Sequence, residues 1–211
     1  MTIEALVLAV PPPASPFEAF TGPWERIEAE LGTPLPEDYK DFIRLYGSGY
    51  FMEFLSITVP SSWNPNVRLV TNIQLIPKFF QNYEENPFPY WPSPGGLISF
   101  GSTDNGDILF WLARGMPADW RIVVWDRDMG DFEVLDCDLT GFLAGLATGE
   151  TLPKAFPEDL LPSDCLFEPR SAKIARWRLG FEAAKPEDAL CSLRWRWGAL
   201  GVGRSGISWE E

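Results

Sequence analysis

Four short apolar runs constrain the fold of this chain more than any other feature. They are "LISF" (97–100), "DILFWL" (107–112), "WRIVVWD" (120–126) and "FEVLD" (132–136), each followed by turn-forming residues. Short β-branched and aromatic runs recurring at close intervals form an antiparallel meander, because tight turns can join only antiparallel neighbours. Twenty prolines and eighteen glycines fit this turn-rich chain and argue against a helix bundle.

Helical patterns flank the meander. Trp24, Ile27 and Leu31 share one face of a helix that begins after Pro23 and stops at Gly32. A second helix opens at Pro36. Glu37 and Asp38 complement its N-terminal dipole, and Leu35, Tyr39, Phe42, Ile43 and Tyr46 follow at helical spacing until Gly47 and Gly49. "YFMEFLSITVP" (50–60) reads as one strand ended by Pro60. Asn64-Pro65 caps another helical pattern, Val67, Val70, Ile73, Ile76, Phe79/Phe80 and Tyr83, which Pro77 should end or kink. "ENPFPYWPSPGG" (85–96) is loop. A last helix starts after Asp138, with Leu139, Phe142, Leu143 and Leu146 on one face, and closes at Gly149. Helices, meander, helix is an α+β order, a mainly antiparallel sheet flanked by helices.

Both ends read differently. "MTIEALVLAVPPP" lacks a basic n-region and carries Glu4, which makes it a poor signal peptide, and "VPPPASP" reads as a stiff linker. Residues 1–19 are therefore expected to form an arm, 20–150 the domain, and 151–211 a C-terminal extension packed on the same domain. Within the extension, 152–169 reads as proline-punctuated loop, 171–186 as a basic amphipathic helix and 189–203 as a strand.

The composition narrows the chemistry. There is no histidine, which excludes Ser-His-Asp and Cys-His catalysis and any imidazole-bound zinc. Cys137, Cys165 and Cys191 contain no CxxC pair, so reduced, cytoplasmic cysteines are the simplest reading. No stretch reaches the roughly 18 apolar residues of a membrane span. Residues 1–169 hold nine Lys/Arg against 25 Asp/Glu, a net of −16, whereas residues 170–211 hold eight against five, a net of +3. The acidic part repels phosphate backbones, so no direct nucleic-acid ligand is expected there, and it attracts a basic partner.

Two polar loops invite a catalytic or metal reading. "DRDMGD" (126–131) places its Gly fifth and Cys137 where a calcium loop needs a bidentate Glu, so it reads as a turn. "GSTDNGD" (101–107) lacks the P-loop Lys. Asn105-Gly106 predicts a two-residue hairpin turn with Asp107 bonding local amides. With 30 acidic residues, a carboxylate pair for an acidic hydrolase is easily proposed but none stands out. No GxSxG elbow is present. Trp24, Trp111 and Trp125 are expected in the core. Trp63 and Trp91 fall in loops, where tryptophan either anchors a partner or folds back over the core.

Three blocks of this sequence resemble the SUKH superfamily, the Smi/Knr-like domains. They are Trp24 with "IEAELG" (27–32), "LPEDYKDF" (35–42) and "YGSG" (46–49); the hairpin "ISFGSTDNGDILFWL" with the strand at 120–124; and "LTGFLAGLATGE" (139–150). The resemblance spans roughly residues 20–150. It implies an α+β domain without catalytic residues or cofactor. Bacterial members are mostly immunity proteins that neutralise a cognate toxin, commonly a nuclease or deaminase. Fungal relatives are cell-wall-synthesis regulators that act as interaction hubs. On this reading the partner is a toxin domain, and the candidate contacts are Glu53, Glu84, Glu85, Asp104 and Asp107, with Trp91 as an anchor. The alternatives are a regulatory or scaffolding module, with the basic-aromatic segment 170–211 docking a partner, and an acidic hydrolase.

Overall fold

The computed structural model describes residues 3–80, 86–160 and 166–183, the last seven of these by backbone alone. The expected meander is present. β3 (Leu97–Thr103), β4 (Ile108–Leu112), β5 (Arg121–Trp125) and β6 (Phe132–Leu135) pair antiparallel in sequence order. Leu109, Trp111, Ile122 and Val124 point into the main core. Ile108, Phe110, Leu112, Val123 and Trp125 point into a second core on the other face. With both faces covered, a continuous apolar run satisfies the sheet, so "DILFWL" shows no polar alternation.

The main face is covered by α1 (Ile3–Ala9), α3 (Glu37–Tyr46) and α5 (Leu139–Thr148), with α2 (Trp24–Leu31) beside them. Phe42, Ile43, Phe142 and Leu143 are fully buried there. The second face is covered by the end of α4 (Leu69–Phe79), through Ile76 and Phe80, and by Phe88 and Tyr90. Asn64 caps the short 3₁₀ turn Pro65–Val67 that precedes α4, its side chain accepting from the Asn66 N–H. Pro77 lies inside the last turn of α4, close to where the helix stops.

Several expectations are corrected. The run 50–60 is a hairpin of two strands, β1 (Gly49–Phe51) and β2 (Leu55–Ile57). Met52 and Glu53 both take positive φ, 52° and 56°, and the Phe54 N–H donates to the Phe51 carbonyl at 3.1 Å. This is the geometry of a type I′ turn without its usual Asn or Gly, so the composition concealed it. At the β3–β4 turn only Gly106 has positive φ, 96°. The Thr103 N–H donates to the Asp107 carbonyl, which makes a three-residue loop with glycine at the left-handed position rather than a two-residue turn.

The segment 1–19 carries α1. Leu6 and Val10 are fully buried, and the Tyr46 hydroxyl donates to the Val10 carbonyl. The stretch 152–169 supplies a strand, β7 (Phe167–Pro169), antiparallel to β1, and completes the seven-stranded order β6-β5-β4-β3-β2-β1-β7. Its proline sits on an edge strand, where a missing N–H costs no ladder bond. Arg170 then turns inward. Its Nε donates to Ser48 Oγ (2.9 Å), Nη1 to the Tyr50 hydroxyl (2.7 Å) and Nη2 to Ser56 Oγ (2.7 Å). The first compact unit is Met1–Ser171 and the second Ala172–Glu211. The expected basic helix is α6 (Arg170–Ala183), and the strand expected at 189–203 lies outside the described residues.

Candidate functional site

Antiparallel connectivity gathers three turns at one end of the sheet. The β1–β2, β3–β4 and β5–β6 connections all lie there, because successive turns of a meander alternate between its two ends. This end carries exposed carboxylates at Glu53, Asp104, Asp128 and Asp131, which are scattered in the sequence. The turns are tied together. The Asp104 N–H donates to the Phe54 carbonyl at 2.9 Å, and Arg127 Nη1 donates to the Asn105 carbonyl at 3.1 Å.

Asp107 differs from its neighbours. It is 3% exposed, and its carboxylate accepts from Thr103 Oγ1 (2.6 Å) and from the Arg127 N–H (3.1 Å). It braces its own turn through the Thr103 hydroxyl rather than a local amide, and it ties that turn to the next through Arg127, a link its local sequence did not suggest. "DRDMGD" is likewise a turn. Asp126 Oδ1 accepts from the N–H groups of Asp128 and Met129, and Gly130 takes positive φ.

Trp91 lies away from this rim, before β3. Its indole N–H donates to the Leu31 carbonyl at 2.9 Å and its ring packs on the main core, which is the fold-back arrangement. Trp63 is 66% exposed, while Trp111 and Trp125 are buried and Trp24 is partly buried against the core. Glu84 and Glu85 lie outside the described residues.

At the opposite end of the sheet, a cavity of about 370 Å³ opens between the N-termini of α3 and α5 and the β4–β5 connection. Its apolar walls include Leu35, Trp111, Met116, Trp120 and Leu139, and its carboxylates are Glu37, Asp38 and Asp138. Trp111 is held between Tyr39, edge-on at 5.0 Å, and Phe100, stacked at 4.5 Å. Asp38 and Asp138 serve the first turn of α5. Asp38 Oδ2 accepts from the Thr140 N–H at 3.1 Å, and Asp138 Oδ1 from the Gly141 N–H at 2.7 Å. Asp38 Oδ1 accepts from the Tyr39 N–H at 2.8 Å. The pair lines one cavity, as a hydrolase needs, but both carboxylates are engaged by helix-end amides. Burial pushes the Asp38 carboxyl above its ordinary range, the Thr140 amide opposes this, and the Asp138 charge adds to it.

Behind the cavity, Lys40 clamps α2 to α3. Its Nζ lies 2.7 Å from Glu28 Oε1 and 2.8 Å from Glu37 Oε1, and Glu28 Oε1 also accepts from the Leu35 N–H. Burial would raise the Glu28 carboxyl, but the bonds from Lys40 and Leu35 outweigh it and hold it low. The helix patterns reveal both helices but not this clamp, since Lys40 reads as an ordinary surface residue. Cys137 is a free thiol pushed up to about 11 by burial and the adjacent carboxylates. Among the described residues no group of three or more Cys, Asp or Glu could hold a metal ion, and no helix is long and apolar enough to cross a membrane.

Residues 22–143, more than half of the chain, match the SUKH family model described as SMI1-KNR4 cell-wall. The match spans α2 through the first half of α5 and includes both the turn rim and the cavity. No curated protein and no solved structure matches the chain.

Proposed function

The chain belongs to the SUKH family, and on that premise we propose that it is a cytoplasmic, non-catalytic immunity protein that binds and neutralises a cognate bacterial toxin of nuclease or deaminase type. The observation that carries this reading is the acidic rim. Glu53, Asp104, Asp128 and Asp131 stand exposed on turns that share one end of a rigid sheet. A nuclease surface that grips phosphates is basic, and a preorganised acidic rim suits it by long-range steering and by charge complementarity on contact. The net of −16 over residues 1–169 adds to the same field.

The test is recovery and protection. The tagged protein is expected to capture a toxin-domain protein from its own host and to rescue growth when co-expressed with it. Absence of both would sink the proposal. The family's cell-wall description favours a second reading, a regulatory interaction module. A captured partner drawn from cell-wall synthesis, with no toxin among the proteins recovered, would favour that reading instead.

A further inference from the structure

The sheet is open, and its two edges differ. At β7 the Arg170 N–H donates to the Ser48 carbonyl, so by alternation Glu168 also bonds toward β1 and the outward positions are Phe167 and Pro169. The proline has no N–H to offer there, which blunts that edge. β6 has no proline, no lysine and no bulge. We propose that the free edge of β6 receives an extended segment of the partner protein as an added strand, one whose side chains alternate basic and apolar. The proposal rests on the reading of this chain as a protein-binding module. It extends the acidic rim, where β6 begins, along the edge of the sheet.

The backbone sets the geometry. The Asp126 N–H donates to the Asp131 carbonyl at 2.9 Å, and the register pairs Val124 with Glu133 and Ile122 with Leu135. Antiparallel hydrogen bonds alternate, so Asp131, Glu133 and Leu135 bond toward β5, while Phe132 and Val134 present N–H and C=O outward. Among the described residues these outward groups have no partner. An added strand supplies them, as in other cases of strand addition to a sheet edge. Val134 is 48% exposed and lies on the second face, opposite Val123 and on the same side as Phe132. Apolar side chains of the added strand pack against this pair. The alternate side chains lie on the main face beside Asp131 and Glu133. Charge selects the occupant. Glu133 and Asp136 are already engaged, by the Lys154 N–H and by Arg121, but the exposed carboxylates of Asp128 and Asp131 enter no ion pair among the described residues. A second copy fits poorly. The two-fold pairing that bonds through both Phe132 and Val134 sets Glu133 directly opposite its own counterpart, and like charges so placed destabilise a sheet. A basic strand meets the same carboxylates with the opposite sign.

The probe is an acetylated, amidated heptapeptide of alternating lysine and valine, titrated into the full-length protein and followed by ¹⁵N–¹H correlation spectra. Saturable shifts are expected at the Phe132 and Val134 amides, with slower hydrogen exchange at both. A peptide of the same composition with lysines and valines in separate blocks should bind at least about fivefold more weakly, as should the alternating peptide with glutamate in place of lysine. Val134→Pro removes an outward N–H without removing a bond to β5, and should weaken the alternating peptide by a similar factor. Val134→Lys, a milder change at an exposed position, should do the same by like charge, with the spectrum reporting that the fold is kept. Equal binding of the block peptide would overturn strand addition, and equal binding of the glutamate peptide the charge assignment. Unmoved Phe132 and Val134 amides, or full binding by Val134→Lys, would overturn the edge as a site. Dimerisation in sedimentation that Val134→Lys abolishes would give the edge to a second copy instead. No toxin enters this experiment, so its failure leaves toxin neutralisation standing. Failed protection in cells likewise leaves the edge standing.

Discussion

Lys40, Asp38 and Arg170 show how single residues in this domain do work that their types do not advertise. Lys40 bridges Glu28 and Glu37 and lies 5.9 Å from the centroid of the Trp24 ring. Lys40→Met should cost about 1–3 kcal/mol in urea unfolding at neutral pH, because it leaves the partly buried Glu28 carboxylate without its cation. The pH dependence follows from the sign of the shift. Glu28 is held below its ordinary value in the folded protein, so its contribution is complete above that value and is lost as pH falls through the folded one. Lys40→Met should reduce that acid-side loss. Asp38 has the opposite sign. Its carboxyl is raised on folding, so stability declines as pH rises from the ordinary aspartate value through the folded one. Asp38→Asn should remove that decline, measured as unfolding free energy between about pH 4 and pH 7. Arg170 is 6% exposed and serves three hydroxyls. Arg170→Ala should cost about 2–4 kcal/mol by stranding the fully buried Ser48 hydroxyl and loosening β7.

Among the elements, the hairpin β1–β2 and the edge strand β7 carry the sharpest expectations. Met52 and Glu53 occupy left-handed backbone without glycine or asparagine, at a cost of about 1 kcal/mol or more each. Glu53→Gly should raise the midpoint of thermal unfolding and lower affinity for the partner, while a gain on both counts would remove Glu53 from the contact. β7 approaches β1 closely because Gly49 has no side chain. A Cβ there would lie 2.6 Å from the Glu168 carbonyl oxygen. Gly49→Ala should therefore displace β7 and speed amide exchange at Glu168 and at Arg170, whose N–H donates to the Ser48 carbonyl, while the β3–β6 meander keeps its protection.

Taken whole, the molecule sets an acidic rim at one end of a double-faced sheet and an aromatic, carboxylate-lined cavity at the other. Reversal of the rim charges, Glu53→Lys with Asp104→Lys and Asp128→Lys, should mainly slow association with a basic toxin and flatten its salt dependence, as read by stopped-flow mixing. Equal slowing by reversal at exposed carboxylates away from the rim would reduce its role to that of net charge. Much of this layout was legible. The meander, α2, α3, α4 and α5 follow from periodicity and caps, and the place of Asp107 in its own turn from turn chemistry. The type I′ turn at Met52-Glu53, the packing of α1 and the strand β7 were not, because each depends on contacts with residues far along the chain.

By itself, then, the sequence determined the four-stranded meander, the helices α2 to α5, the sign of the charge and the absence of imidazole chemistry. These are properties of local period, side-chain type and count. Only the tertiary structure decided that Glu53, Asp104 and Asp128 share an end, since that depends on strand order and turn parity. It also decided that Asp38 and Asp138 line one cavity although a hundred residues apart. Burial then gives those two carboxylates an energy of interaction that neither has in the unfolded chain.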